Sequence, residues 1–79
     1  MSTKEEIQEE NRKIRYLRFL VDFSLNYIAQ SDISPEEAFD LVEKVKRQAC
    51  ILFPGKEETF EIIYRPRFQR VIHQRFRFH

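Results

Sequence analysis

The chain has 79 residues, enough for one small domain and too few for two. Its 14 basic and 13 acidic residues leave a formal net charge of +1, so any charged surface must come from local asymmetry. An apolar share of 42% suits a folded chain, and the single glycine, Gly55, cannot supply the many tight turns that an all-β fold requires.

The first segment reads as a helix from about Lys4 to Gln30. Ser2 or Thr3 can cap it, with Glu5 and Glu6 near the positive end of the helix dipole. Only Ile7 is apolar before Ile14, so residues 1–13 are expected to project or fray. From Ile14 onward the character changes. Ile14, Leu17, Val21, Leu25 and Ile28 form one stripe at 3-4 spacing, and Tyr16, Phe19, Leu20, Phe23 and Tyr27 form a second beside it. The polar remainder is narrow (Arg15, Arg18, Asp22 and Asn26), with Arg18 and Asp22 placed to pair. A helix apolar over more than half its circumference is expected to be covered on two sides.

The second segment opens on "SDISPEEAFD". Ser34 as N-cap, Pro35 at the first helical position and Glu37 at the third predict a capping box, with Ile33 and Ala38 as a weak hydrophobic staple. The helix runs through Ala38, Leu41, Val42, Val45, Ala49 and Leu52, flanked by Phe39 and Phe53. It is expected to stop at Pro54, which disfavours helical geometry at Phe53. Asp40 with Lys44 and Glu43 with Arg47 have the stabilising acid-first order.

A third segment begins near Gly55, with Glu57 and Glu58 in its first turn. Phe60, Tyr64, Phe68, Ile72 and Phe76 recur every four residues, widened by Ile63 and Val71. Pro66 cannot donate to the Ile62 carbonyl, so this helix should be kinked or broken there, and the poor capping chemistry of Arg65 favours a kink. A strand is the competing reading for "FEIIY" and "RFRFH". The expected fold is all-α: a single helical domain over residues 1–79, a small antiparallel three-helix bundle with a tail at 75–79.

Eight Phe and three Tyr are many for a core of this size, which points to aromatic rings at an interface. Cys50 has no disulfide partner within the chain and sits in "ACILF", so it reads as a small buried hydrophobe in a reducing, cytoplasmic setting. The acidic start "MSTKEEIQEE" has no apolar run and predicts no signal peptide. The five-residue stretch "ACILF" is the longest apolar run, far short of a membrane span.

Catalytic constellations are not in view. One glycine excludes a phosphate-cradling loop, and His73 and His79 have no acid after Glu61 to orient them. Adjacent carboxylates diverge by about 100° on a helix, so pairs such as Glu57 and Glu58 do not face each other. No enzyme, metal, cofactor or small-molecule substrate is expected. A helix-turn-helix fails on sign, because Glu57, Glu58 and Glu61 would meet the duplex.

The basic ending is the remaining chemical feature. Arg65, Arg67, Arg70, Arg75 and Arg77 follow the last acid, Glu61, and are interleaved with Phe68, Phe76 and Phe78. Residues 54–79 carry six bases against three acids, whereas residues 32–53 carry three against five. Three readings compete: phosphate binding with base stacking, an acidic protein partner, or solvated cations that complement a helix C-terminus. The resulting expectation is a small cytoplasmic interaction module or adaptor that acts as a homodimer. Phe19, Phe23, Tyr27, Phe76 and Phe78 are its candidate interface residues. The arginines are candidate contacts to an acidic partner, and a nucleic-acid-binding accessory protein is the alternative.

Overall fold

The structure, a computed structural model, describes residues 3–77. Ser2, one of the two expected caps, lies outside the described residues, as do Phe78 and His79. All regular structure is helical: α1 spans Thr3–Gln30, α2 Pro35–Leu52, α3 Glu57–Ile63 and α4 Arg65–Phe76. No strand occurs among the described residues, and both segments with strand character enter helices as far as Phe76.

The 28 residues of α1 span about 42 Å. Its first buried side chain is Leu17, and Ile7 is 57% exposed, so the N-terminal half is a helical arm that extends past the core. The radius of gyration reflects this: 14.5 Å, against about 12 Å for a compact domain of this length. Beyond the arm, Leu17, Val21, Ser24 and Ile28 face inward.

The chain turns through residues 31–34 and restarts with the expected box. The Glu37 N–H donates to Ser34 Oγ and the Ser34 N–H donates to Glu37 Oε1, both at 3.1 Å, with Pro35 beginning the helix. Ala38, Val42, Val45 and Ala49 form the buried face of α2. The helix ends where Pro54 requires it to, and the Phe53 N–H closes on the Ala49 carbonyl at 2.8 Å. Gly55 then takes φ +80, a conformation that costs glycine little and other residues more. Lys56, not Gly55, is the N-cap of α3, and its side chain makes no capping bond.

The expected third helix is two helices. Tyr64 closes α3 and opens α4 with φ −100 and ψ −37, still in the right-handed region. Its N–H bonds the Phe60 carbonyl at 2.9 Å, and its own carbonyl accepts from Phe68 at 3.2 Å. Pro66 has no N–H to offer the Ile62 carbonyl, so the ladder is interrupted beside it and the count of helices becomes four.

The four helices pack together, with α2 against each of the others, α1 against α2 and α4, and α3 against α2 and α4. Phe60 and Phe68 lie at the centre, stacked with centroids 6.4 Å apart, with Ile72 also buried. Apolar positions that read as core also stand outside it, among them Ile14 at the head of the α1 stripe, 39% exposed. Ile51 and Ile63 are 69% and 51% exposed, and Cys50 is half-buried, because only one face of each helix can reach a core this small. No helix among the described residues is long and apolar enough to cross a membrane.

Candidate interaction surface

The second apolar stripe of α1 is not covered by the rest of the chain. Leu20 leans on the core, but Tyr16, Phe19, Phe23 and Tyr27 are 45%, 67%, 58% and 44% exposed. The cause is the helical period. At 100° per residue, Leu17, Val21, Ser24 and Ile28 point one way, and the aromatic row is centred roughly 130° around the helix from them. Along the row the rings stack on one another, Phe19 on Phe23 at 6.0 Å and Phe23 on Tyr27 at 6.4 Å. Each ring thereby restricts its neighbour, leaving a preorganised ridge rather than independent side chains.

A groove runs beside this ridge between α1 and α2. Phe23 and Tyr27 form one wall, Glu37, Asp40 and Lys44 the other, with Ile33 and Leu41 also lining it. Its volume is about 290 Å³. A second groove, at the opposite end of the bundle, is lined by Leu17, Ala49, Phe53, Phe60 and Ile63 and holds about 240 Å³.

Phe76 is placed differently from the α1 rings. It is half-buried against the chain's own core, and the Arg75 guanidinium lies 5.2 Å from its ring centroid. Phe78, the remaining candidate, lies outside the described residues.

The arginines that looked uncompensated in the linear sequence divide into two groups. Arg65 donates from Nε and Nη2 to Glu61 (3.1 and 2.9 Å) and pairs through Nη2 with Glu43 of α2 at 2.8 Å. Lys46 joins the same cluster, 3.1 Å from Glu61. Arg67 meets Asp22 of α1 at 3.5 Å, and Arg75 donates to the Ser31 carbonyl at 3.2 Å. Asp22 therefore meets α4, and Glu43 reaches the α3–α4 junction. Arg70 and Arg77 are exposed without an ion pair among the described residues. Arg77 ends α4 in the left-handed conformation, φ 48, and its N–H donates to the His73 carbonyl at 2.8 Å.

The cluster also sets its own ionisation. Hydrogen bonds from Arg65 first, and from Lys46 second, hold the Glu61 carboxyl below its ordinary value, and Glu61 in turn raises Arg65. The i,i+4, acid-first spacing of Glu61 and Arg65 was the available sequence signal for this pair. The contribution of Glu43 from 22 positions away has no local signal. No group of three or more His, Cys, Asp or Glu side chains is placed to hold a metal among the described residues.

No known protein-family model, no curated protein and no solved structure matches this chain.

Proposed function

We propose that this chain is a protein–protein interaction module that acts as a homodimer, meeting its copy through the aromatic ridge of α1. The observation that carries the reading is the ridge itself: Phe19, Phe23 and Tyr27 stacked in register and exposed on one helix face. Exposed contiguous aromatic surface on a small chain is a feature of interaction sites, where aromatic rings supply large contact area at low entropic cost. Cys50 has no disulfide partner within the chain, which agrees with a reducing, cytoplasmic setting.

The arginine segment supports a nucleic-acid reading less well. Arg65 and Arg67 are paired with acids, leaving Arg70, Arg75 and Arg77 without an ion pair among the described residues, and Arg75 is held against the Ser31 carbonyl. A backbone-binding surface needs several free cations to release counterions. The same three arginines remain available to an acidic protein partner.

Sedimentation equilibrium at tens to hundreds of micromolar tests the proposal. A dimer for the natural chain and a monomer for Phe23→Glu, with equal helicity by circular dichroism, is the expected pair of results. A natural chain that stays monomeric throughout that range refutes it.

A further inference from the structure

Immediately beside the ridge, the face of α1 has a cation at one end and acids at the other, with Glu9 and Glu5 on the same face one and two turns beyond that cation. Arg12 lies four residues before Tyr16, within about 20° of the ridge centre on the helical wheel, and is exposed without an ion pair among the described residues. Beyond the other end, Glu37 and Asp40 line the groove next to Tyr27 and Phe23. Glu37 uses Oε1 to cap its own helix, and its charge remains at the groove rim. Lys44 lies farther along the same groove and offsets part of this acidity, while Glu37 lines the groove three residues into α2, with Asp32 and Glu36 exposed nearby in the chain.

From this arrangement we infer that the homodimer is antiparallel, with α1 crossing α1 of the second copy near Val21 and Arg12 of each chain meeting Glu37 of the other. The inference rests on the self-association reading and adds its polarity and its ionic contacts. A two-fold axis through the middle of the row Tyr16–Tyr27 places aromatic against aromatic at the centre. It carries Arg12, nine residues or about 14 Å from Val21, to the level of the partner's Gln30, where α1 ends and α2 begins. Both ends mate at once, as an isologous contact requires. In a parallel arrangement, Arg12 would stand beside Arg12 of the second copy and the two acidic grooves would lie at the same level, so both ends would meet like charge.

Area supports recruitment of the ends. The exposed parts of the four rings amount to roughly 400 Å² per chain, about half of the ~800 Å² that each partner contributes to a standard interface. The ridge alone is too small. In the antiparallel arrangement the helical arm as far as Arg12, exposed along its length in its own chain, extends along the start of α2 in the second copy and supplies the remainder.

The test uses the full chain with Cys50→Ser and a spin label at Gln8→Cys, an exposed position on the arm. Gln8 lies 13 residues from Val21, so the antiparallel dimer separates the two labels by about 40 Å, whereas a parallel dimer holds them within about 20 Å. Pulsed dipolar spectroscopy reads this directly, and a short distance overturns the polarity while leaving self-association through the ridge intact. Arg12→Glu is expected to weaken dimerisation by roughly tenfold. Glu37→Gln, which keeps the capping bond, is expected to weaken it a few-fold and to recover part of the affinity when added to Arg12→Glu. A dimer with the long distance but indifferent to Arg12→Glu overturns the ionic pairing. A chain that is monomeric at every concentration overturns both this inference and the reading beneath it.

Discussion

Arg65 joins α4 to α2 by setting Nη2 2.8 Å from Glu43 Oε1, while the same guanidinium grips Glu61 of α3 at 2.9 Å. One side chain thus ties three helices at the point where Pro66 interrupts the backbone ladder. It is also the side chain of the cluster with the least exposure, 19%, and its guanidinium carbon lies 5.9 Å from the Phe60 ring centroid. Arg65→Ala removes the two carboxylate contacts, the ring contact and the packing of the stem. Exposed partners limit the ionic share, so the expected cost is about 1 kcal/mol, a fall of ~4–8 °C in Tm for a chain of this size. Arg65→Lys should recover less than half of it, since a point charge cannot reproduce the fork that reaches both acids. Thermal unfolding of the three proteins at low and moderate salt checks this, with the gap between them narrowing as salt rises.

The ionisation of Glu61 predicts how stability depends on pH. Arg65 and Lys46 hold its folded-state pKa below the ordinary glutamate value. A group depressed in this way binds more protons unfolded than folded, so its contribution is fully present above the ordinary value and is lost as pH falls through the depressed one. Arg65 is raised from a value already far above neutrality, so its own titration lies outside any working range. Urea unfolding followed from neutral pH downward should show stability declining through the carboxylate range. In Glu61→Gln that decline should be shallower, with lower stability at neutral pH. An unchanged pH slope in Glu61→Gln would remove Glu61 as a source of the dependence.

Several parts of this architecture were legible in the residues because their causes are local. The start of α2 follows from Ser34, Pro35 and Glu37 alone, and its end from Pro54, which is why both boundaries coincide with expectation. The inward face of α1 was visible in its 3-4 spacing. The excess of rings pointed to Phe19, Phe23 and Tyr27 as interface candidates, but how far the rest of the chain would cover each of the two stripes could not be read. That depends on the volume the other helices can fill, and with α3 only seven residues long they cover the Leu17–Ile28 side and leave Phe19, Phe23 and Tyr27 outside. The arginines follow the same logic. Their pairing acids, Asp22 and Glu43, are 45 and 22 positions from Arg67 and Arg65, so a linear charge count made the ending seem more basic than the folded surface is.

Gly55 offers a test of backbone conformation isolated from packing. A Cβ placed there meets nothing within 4 Å, so no clash opposes a side chain, yet φ is +80. Gly55→Ala should therefore destabilise by about 1 kcal/mol purely through conformational strain, with Gly55→Asn costing less because asparagine tolerates the left-handed region better. Chemical denaturation with an unchanged m-value checks that the turn, and not the compactness of either state, has been altered. Equal stability of the alanine and asparagine variants would show that strain at φ is not what the position resists.

Phe68 and Phe23 carry the same side chain in opposite environments, and substitution should separate folding from association. Phe68 is 0% exposed and stacks on Phe60 in the core, whereas Phe23 is 58% exposed, stacks on its ridge neighbours and lines the groove beside α2. Phe68→Ala is expected to cost about 3–5 kcal/mol, a large part of the stability available to a domain of this size. It should abolish cooperative unfolding or lower Tm steeply. Phe23→Ala removes little buried area within the chain, so under dilute conditions its unfolding should lie within about 0.5 kcal/mol of the natural protein. At high concentration the difference should appear only in association: the natural chain gains stability by mass action as the dimer forms, and Phe23→Ala does not. Melting curves over a hundredfold range of concentration distinguish the two. A Tm of the natural chain that does not rise with concentration would show that the exposed ridge does not mediate self-association.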